Sequence, residues 1–294
     1  MTSWLRLLKT YKKKVSFDND NMREMTLGDI QNVSLAILKD VHAFCVSYNI
    51  KYSLAYGTLI GAIRHKGFIP WDDDVDILIP RPDFERFCHE FKSSHGYELY
   101  VPEDSRSFLT YARICDNEHT LVKTNRPWST KPTGVWIDVF PLDGLPSDKT
   151  EFLTLVGKLR NIQTKVDRLR TGRHLKLMDS MDMRNFVYCL IKRILYYRYD
   201  IHTLLHQHIQ MIKGKKYEDA DFCGQLCVMD YPEKEQNPKE DFDNYLLVPF
   251  CDSEFYVMNG YDNILKRYYG DYMELPPENK RIPPQQANYR FFWR

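Results

Sequence analysis

The stretch Trp71-Asp72-Asp73-Asp74-Val75-Asp76-Ile77 holds the densest group of reactive side chains in the chain. Asp74 and Asp76 stand two apart, and in a strand such residues project to one face. Two carboxylates held that way repel strongly unless a cation lies between them or one keeps its proton. An all-oxygen pair suits a hard divalent ion, Mg2+ or Mn2+, whose other ligands are waters and phosphate oxygens. A third acid, Asp138, stands alone in the apolar run Trp136-Ile137-Asp138-Val139-Phe140, where a charge is costly unless paired or metal-bound. If the two segments are neighbouring strands, Asp74, Asp76 and Asp138 converge. Upstream, Gly57 and Thr58 precede a short helix, and the free N–H groups of a helix start bind phosphate.

Other readings of these residues stay open on spacing alone. Acidic runs are commonly solvated loops, which could hold for Asp72 and Asp73. Asp72, Asp74 and Asp76 also match alternate positions of a calcium loop, but Ile77 stands where that loop needs glycine and Asp83 where it needs glutamate. Asp138 could be a buried, hydrogen-bonded structural acid. Cys223 and Cys227 have no second pair near them, so they read as a zinc half-site or as small apolar core residues.

The elements that must position the acids follow from periodicity. Residues 26–49 carry apolar side chains at helical spacing behind a Thr26/Asp29 capping box. Residues 50–55 read as a strand, residues 56–58 as a turn, and residues 59–65 as a short helix stopped by Gly67. Residues 75–79 form a strand ended by Pro80, and residues 82–95 a helix with proline at its start. Further strands fall at residues 97–101, 109–114 and 135–140, the last closed by Pro141. Residues 151–217 read as helices, with 13 Lys/Arg against 4 Asp/Glu between Arg160 and Lys216 and a mixed aromatic–basic run at 186–199. A helix over residues 260–269 and a proline-punctuated tail complete the chain. The fold class is α+β: a mixed sheet flanked by helices, with a mainly helical additional lobe. Its parts are an N-terminal extension (1–25), a catalytic core (26–150), a basic helical lobe (151–220) and a C-terminal segment packing on the core (221–294).

Composition narrows the partners. With 294 residues and a net charge of +1, the chain has ample core but no field that calls for nucleic acid. No window approaches a membrane span or a secretory signal, and the odd, scattered cysteines fit a reducing cytoplasm. The basic lobe suggests peripheral contact with an anionic leaflet, where a lipid-linked acceptor would be displayed, or an ordinary solvated helical lobe.

The order of phosphate turn, helix, Asp-x-Asp strand and lone strand acid is that of a nucleotidyltransferase fold. More specifically, residues 56–76 (YGTLIGAIRHKGFIPWDDDVD) closely resemble the signature of the LicD family of phosphocholine transferases. Residues 136–144 (WIDVFPLDG) and 269–277 (YGDYMELPP) agree, so the resemblance runs from about residue 26 to about residue 282. Fukutin-related protein, a ribitol-phosphate transferase, is similar at a greater distance. The resemblance implies a CDP-linked donor, transfer of a phosphoalcohol (phosphocholine first) to a hydroxyl of a surface glycan such as a lipopolysaccharide, capsule or teichoic acid, and release of CMP. It implies Asp74, Asp76 and Asp138 as metal ligands, Asp72 as a base or nearby acid, and Gly57 and Thr58 as the phosphate turn. Arg64, His65 and Lys66 would add positive charge near the diphosphate, or simply end a helix. Tyr56 and Trp71 would stack on the base or cage a quaternary ammonium, or pack beneath the turn. Asp143 would stand behind the acids or shape a turn. Two departures concern the substrate: no histidine follows the Leu275-Pro276-Pro277 block, and residues 255–259 lack an expected proline. Phosphoethanolamine, ribitol phosphate or phosphonate transfer, nucleotidyl transfer, and an inactive glycan- or metal-binding module are the alternatives.

Overall fold

In a computed structural model the chain is described at residues 22–124, 128–173, 191, 199–286 and 288–294. Most of the N-terminal extension and the 186–199 aromatic–basic run lie outside the described residues. Helix α1, Leu27–Ser47, opens with the expected capping box, in which Thr26 and Asp29 exchange side-chain-to-backbone hydrogen bonds. Its stripe Ile30, Val33, Ile37, Val41 and Phe44 is buried. Phe44 meets Phe87 and Phe91 edge-on, which brings α1 against α3, Arg81–Glu90.

The central sheet places the site. Strands β1 (Ser53–Leu54), β2 (Asp76–Pro80), β6 (Val135–Leu145), β4 (Ala112–Asp116) and β3 (Glu98–Tyr100) lie side by side in the order β1-β2-β6-β4-β3. β2 and β6 run parallel and the other neighbours antiparallel, so the sheet is mixed, as expected of an α+β chain. At its far end β6 also pairs with β7 (Phe222–Gly224), which pairs with β8 (Asn237–Pro238). Two ribbons lie beside it: β9 (Tyr245–Phe250) with β10 (Ser253–Met258), and β5 (Thr120–Thr124) with β11 (Tyr289–Trp293). The helices α4 (Lys149–Arg173) and α5 (Ile201–Ile212) pack around a second small core of Ile162, Val166, Ile201, Leu204 and Leu205.

Several boundaries depart from the sequence expectation for identifiable reasons. Pro141 does not close β6. It sits past the last β4 pair, Ala112 with Val139, and before the first β7 pair, Asp143 with Gly224, so on that edge no ladder needs its missing N–H. The helix expected over 82–95 stops at Glu90, because Ser93, Ser94 and His95 turn back to hydrogen-bond the Asp40 carboxylate on α1. Residues 255–258, in the stretch without the expected proline, are strand within β10. Cys223 and Cys227 are buried thiols pushed up by that burial, and Cys227 donates to the Thr110 carbonyl at 3.2 Å, so they act as small core residues. Among the described residues no helix is long and apolar enough to cross a membrane.

Candidate active site

The acids meet at one end of the β2–β6 pair. Asp76 is the first residue of β2 and stands in register opposite Asp138 on β6. Asp74 lies just before the strand rather than within it, and the Asp138 N–H donates to the Val75 carbonyl at 2.8 Å. The alternating residues Ile77, Val139 and Ile137 are fully buried on the opposite face and anchor the pair. A helix, α2 (Tyr56–Ile60), extended by one wider turn over Gly61–His65, delivers the phosphate-turn residues. That helix starts at Tyr56, three residues earlier than expected, so Gly57 and Thr58 form its first turn. The Thr58 hydroxyl accepts the Asp76 N–H at 2.9 Å and ties the helix start to the acidic strand. A Cβ on Gly57 would lie 2.7 Å from Asp72 Oδ2, so only glycine lets that carboxyl approach the helix so closely.

Asp72 and Asp73 are buried, at 8% and 4% exposure, and are not solvated loop acids. Burial and the neighbouring Asp74 carboxylate push Asp72 up to about 9, and the two carboxyls lie within hydrogen-bonding reach. Asp76 is held well above the usual carboxylate range by burial and by Asp74, Asp138 and Asp72, with Arg113 acting against them. Asp73 serves the C-terminal tail: its oxygens accept the backbone N–H groups of Gln285 and Gln286, both at 3.0 Å. The Gln285 amide donates to Asp74 at 3.1 Å. The tail segment without a histidine is therefore the one that closes over the acids.

Asp138 is not free to join them. Arg113 on β4, its register partner, grips both oxygens at 2.5 and 2.7 Å. Burial raises Asp138 even though Arg113 pulls it down. The guanidinium packs against both Trp128 and Trp136, at 4.4 and 4.3 Å from the ring centres, with the two indoles themselves edge-to-face at 6.1 Å, and its Nη1 is buried without a hydrogen-bond partner among the described residues.

The other expected residues divide. Arg64 donates to the carbonyls of Tyr272 and Glu274 and latches the C-terminal loop. Burial, then Arg64, lowers His65. Lys66 caps the wide turn in a left-handed conformation, φ 58°, and is exposed. Tyr56 turns inward: its hydroxyl donates to buried Glu235 at 2.8 Å and its ring meets Phe140 and Tyr268 edge-on, so it packs rather than stacking on a base. Asp143 is also removed from the site, being buried in a two-pronged ion pair with Arg81 at 2.6 and 2.7 Å. Trp71 does line a cavity, of about 450 Å3, together with Gly57, Arg64, Tyr269 and Pro276. Arg281 covers one face of that indole at 5.5 Å.

Among the described residues no three His, Cys, Asp or Glu side chains are grouped so as to hold a metal ion by themselves. Mg2+ asks for less, usually one or two carboxylates completed by waters and phosphate oxygens. Half-buried Asp74 and Asp76, crowded by Asp72, fit that demand; Asp138 already has a cation, Arg113, on both oxygens.

The family model described as LicD/FKTN/FKRP, nucleotidyltransferase domain, matches residues 49–158, which span the helix start and Asp72, Asp73, Asp74, Asp76 and Asp138. The lipopolysaccharide cholinephosphotransferase LicD of Haemophilus influenzae is 34% identical over 269 residues, 89% of this chain and 97% of the relative. The chain belongs to the LicD family. Uncharacterized proteins of Rickettsia typhi and Rickettsia prowazekii are also similar, at 36% over 89 residues (29% of this chain, 28% of the relative) and 39% over 70 residues (24% and 26%).

For this LicD-family chain, sequence reasoning missed Arg113, Glu235 and Gln285. Arg113 carried a faint signal as a lone cation in a strand beside an apolar strand with a lone anion. Glu235 and Gln285 carried none, since their partners Tyr56 and Asp74 are 179 and 211 residues away.

Proposed function

We propose that this chain transfers phosphocholine from a CDP-linked donor to a hydroxyl of a surface glycan of the lipopolysaccharide kind, with CMP as the leaving group. The observation that carries the reading is the meeting of Asp72, Asp74 and Asp76 with the first turn of α2 at Gly57, in a chain alike over nearly its whole length to a cholinephosphotransferase. Asp74 and Asp76 would hold Mg2+ or Mn2+, which when bound offsets charge on the donor diphosphate and its leaving group. The Thr58 hydroxyl fixes the strand of acids to the helix whose first N–H groups face phosphate. Asp72, against Gly57, would take the proton of the attacking hydroxyl once ionised, a state that a divalent ion on the neighbouring carboxylates would favour by offsetting their charge. Gln285 orients Asp74 and Asp73 holds the tail closed, which limits water at the reacting phosphate. The 450 Å3 cavity beside Gly57, walled by Trp71 and Tyr269, would receive one end of the donor.

The test is CMP release from CDP-choline, with Mg2+ and de-choline lipooligosaccharide as acceptor, by the wild type and by Asp76→Asn. The expected result is acceptor-dependent CMP, abolished by chelation and by the substitution, with circular dichroism unchanged. Activity that survives in EDTA, or pyrophosphate as the product, would reject the reading.

A further inference from the structure

Arg113 lies outside every motif that points to the carboxylates, yet the fold builds a compartment for it. The residue is 4% exposed. Trp128 and Trp136, set edge-to-face to one another, both pack against its guanidinium, and Nη2 also donates to the Tyr111 hydroxyl at 3.1 Å. Trp136 precedes Asp138 by two residues on β6, so one strand face supplies both the anion and a wall around the cation. The ladder sets Asp76, Asp138 and Arg113 in a row across three adjacent strands. An arginine is charged at every accessible pH, and its planar fork matches a carboxylate edge-on. Packed against two indoles and bonded to both carboxylate oxygens, it has little freedom to let go.

We propose that Arg113 and Asp138 form a permanent internal ion pair, so that Asp138 is not a metal ligand and one divalent ion is held by Asp74 and Asp76 alone. The inference rests on the metal-dependent reading above and departs from the three-carboxylate set that the family resemblance implies. Arg113 is then a positioning residue. It neutralises Asp138 on one flank of Asp76, leaving the uncompensated charge on the flank where Asp72, Asp74 and the helix start converge. With its charge already balanced by the guanidinium, Asp138 attracts a second cation less strongly than the carboxylates of Asp74 and Asp76 do, and breaking the bidentate bond would leave a guanidinium buried without its anion.

The test is equilibrium Mn2+ binding to the full chain, read by the electron paramagnetic resonance of free Mn2+. Single substitution of Asp138 would strand a bare cation near the ion and repel it, so the informative variant removes the pair together, Arg113→Met with Asp138→Asn. Wild type is expected to bind one Mn2+. Asp76→Asn loses about 100-fold in affinity, the effect of removing one anionic ligand. The paired variant stays within about threefold of wild type, as expected for a charge-neutral change that does not touch the ion. A loss in the paired variant equal to that of Asp76→Asn, or two bound ions in the wild type, overturns the inference while sparing the metal reading. No binding by the wild type overturns both. If the paired variant does not fold, a crystal structure of the wild type with Mn2+ decides: Asp138 on Arg113 and outside the metal's coordination shell upholds the inference, and Asp138 inside that shell, bonded to Arg113 or not, overturns it.

Discussion

Gly57→Ala separates a site constraint from a stability constraint. Gly57 is the second residue of α2 and does not adopt a left-handed φ, so the backbone accepts alanine. The obstacle is one atom: the new Cβ would meet Asp72 Oδ2 at 2.7 Å, and contact becomes ordinary only at 3.4 Å. The carboxyl must therefore retreat by roughly 0.7 Å, as steep short-range repulsion requires. Asp72 cannot withdraw into solvent, being 8% exposed, and its carbonyl is held by the Gln31 amide at 2.8 Å. It turns instead toward Asp74 and displaces the pair that faces the donor. A misplacement near 1 Å costs about 100-fold in rate, so kcat for CMP release should fall by about 10- to 100-fold. Alanine is a better helix former than glycine by about 1 kcal/mol, which offsets part of the crowding and keeps Tm within a few degrees of wild type. Gly28→Ala is the control: Gly28 is likewise the second residue of its helix, but its Cβ would meet nothing nearer than Thr26 Oγ1 at 3.9 Å. The assay is steady-state CMP release with CDP-choline, paired with thermal denaturation. Full kcat in Gly57→Ala would refute the claim that the position of Asp72 matters; a loss of rate in Gly28→Ala would show that any alanine at a helix start does the same.

Three further outcomes are expected. Arg81→Met should cost about 3–5 kcal/mol in urea unfolding by stranding buried Asp143, and Arg81→Met with Asp143→Leu should recover most of it; additive losses would contradict the ion-pair account. Burial pushes Glu235 up to about 7 from its ordinary 4.5, so folding holds a proton there that the unfolded chain releases earlier. The sign follows: its contribution is complete below pH 4.5, declines as pH rises toward about 7 by about 3 kcal/mol, and is flat above. Glu235→Gln should therefore flatten stability between pH 5 and 8, and parallel curves for the two proteins would dismiss the assignment. Thr26→Ala should remove the capping box of α1 and cost about 1 kcal/mol with CMP release unchanged; an unchanged unfolding midpoint would show the cap is not contributing.

Periodicity and spacing were enough for what is local. The Thr26/Asp29 cap, the buried stripe of α1 and the apolar alternation behind Asp76 each depend on residues a few positions apart, and each is legible in order along the chain. That Asp138 needed a polar neighbour was legible as well, since a lone acid in an apolar strand demands one, whereas its pairing with the Asp76 strand stood only as a condition until the register supplied it. The identity of that polar neighbour was not legible. That Arg113 grips Asp138 depended on β4 lying next to β6 in a particular register. Likewise Asp143 was claimed by Arg81, Tyr56 by Glu235 and Asp74 by Gln285, across 62, 179 and 211 residues. A side chain's chemistry is written in its type, but a buried charge bonds to whatever the packed chain brings within about 3 Å, and only the tertiary structure sets that list.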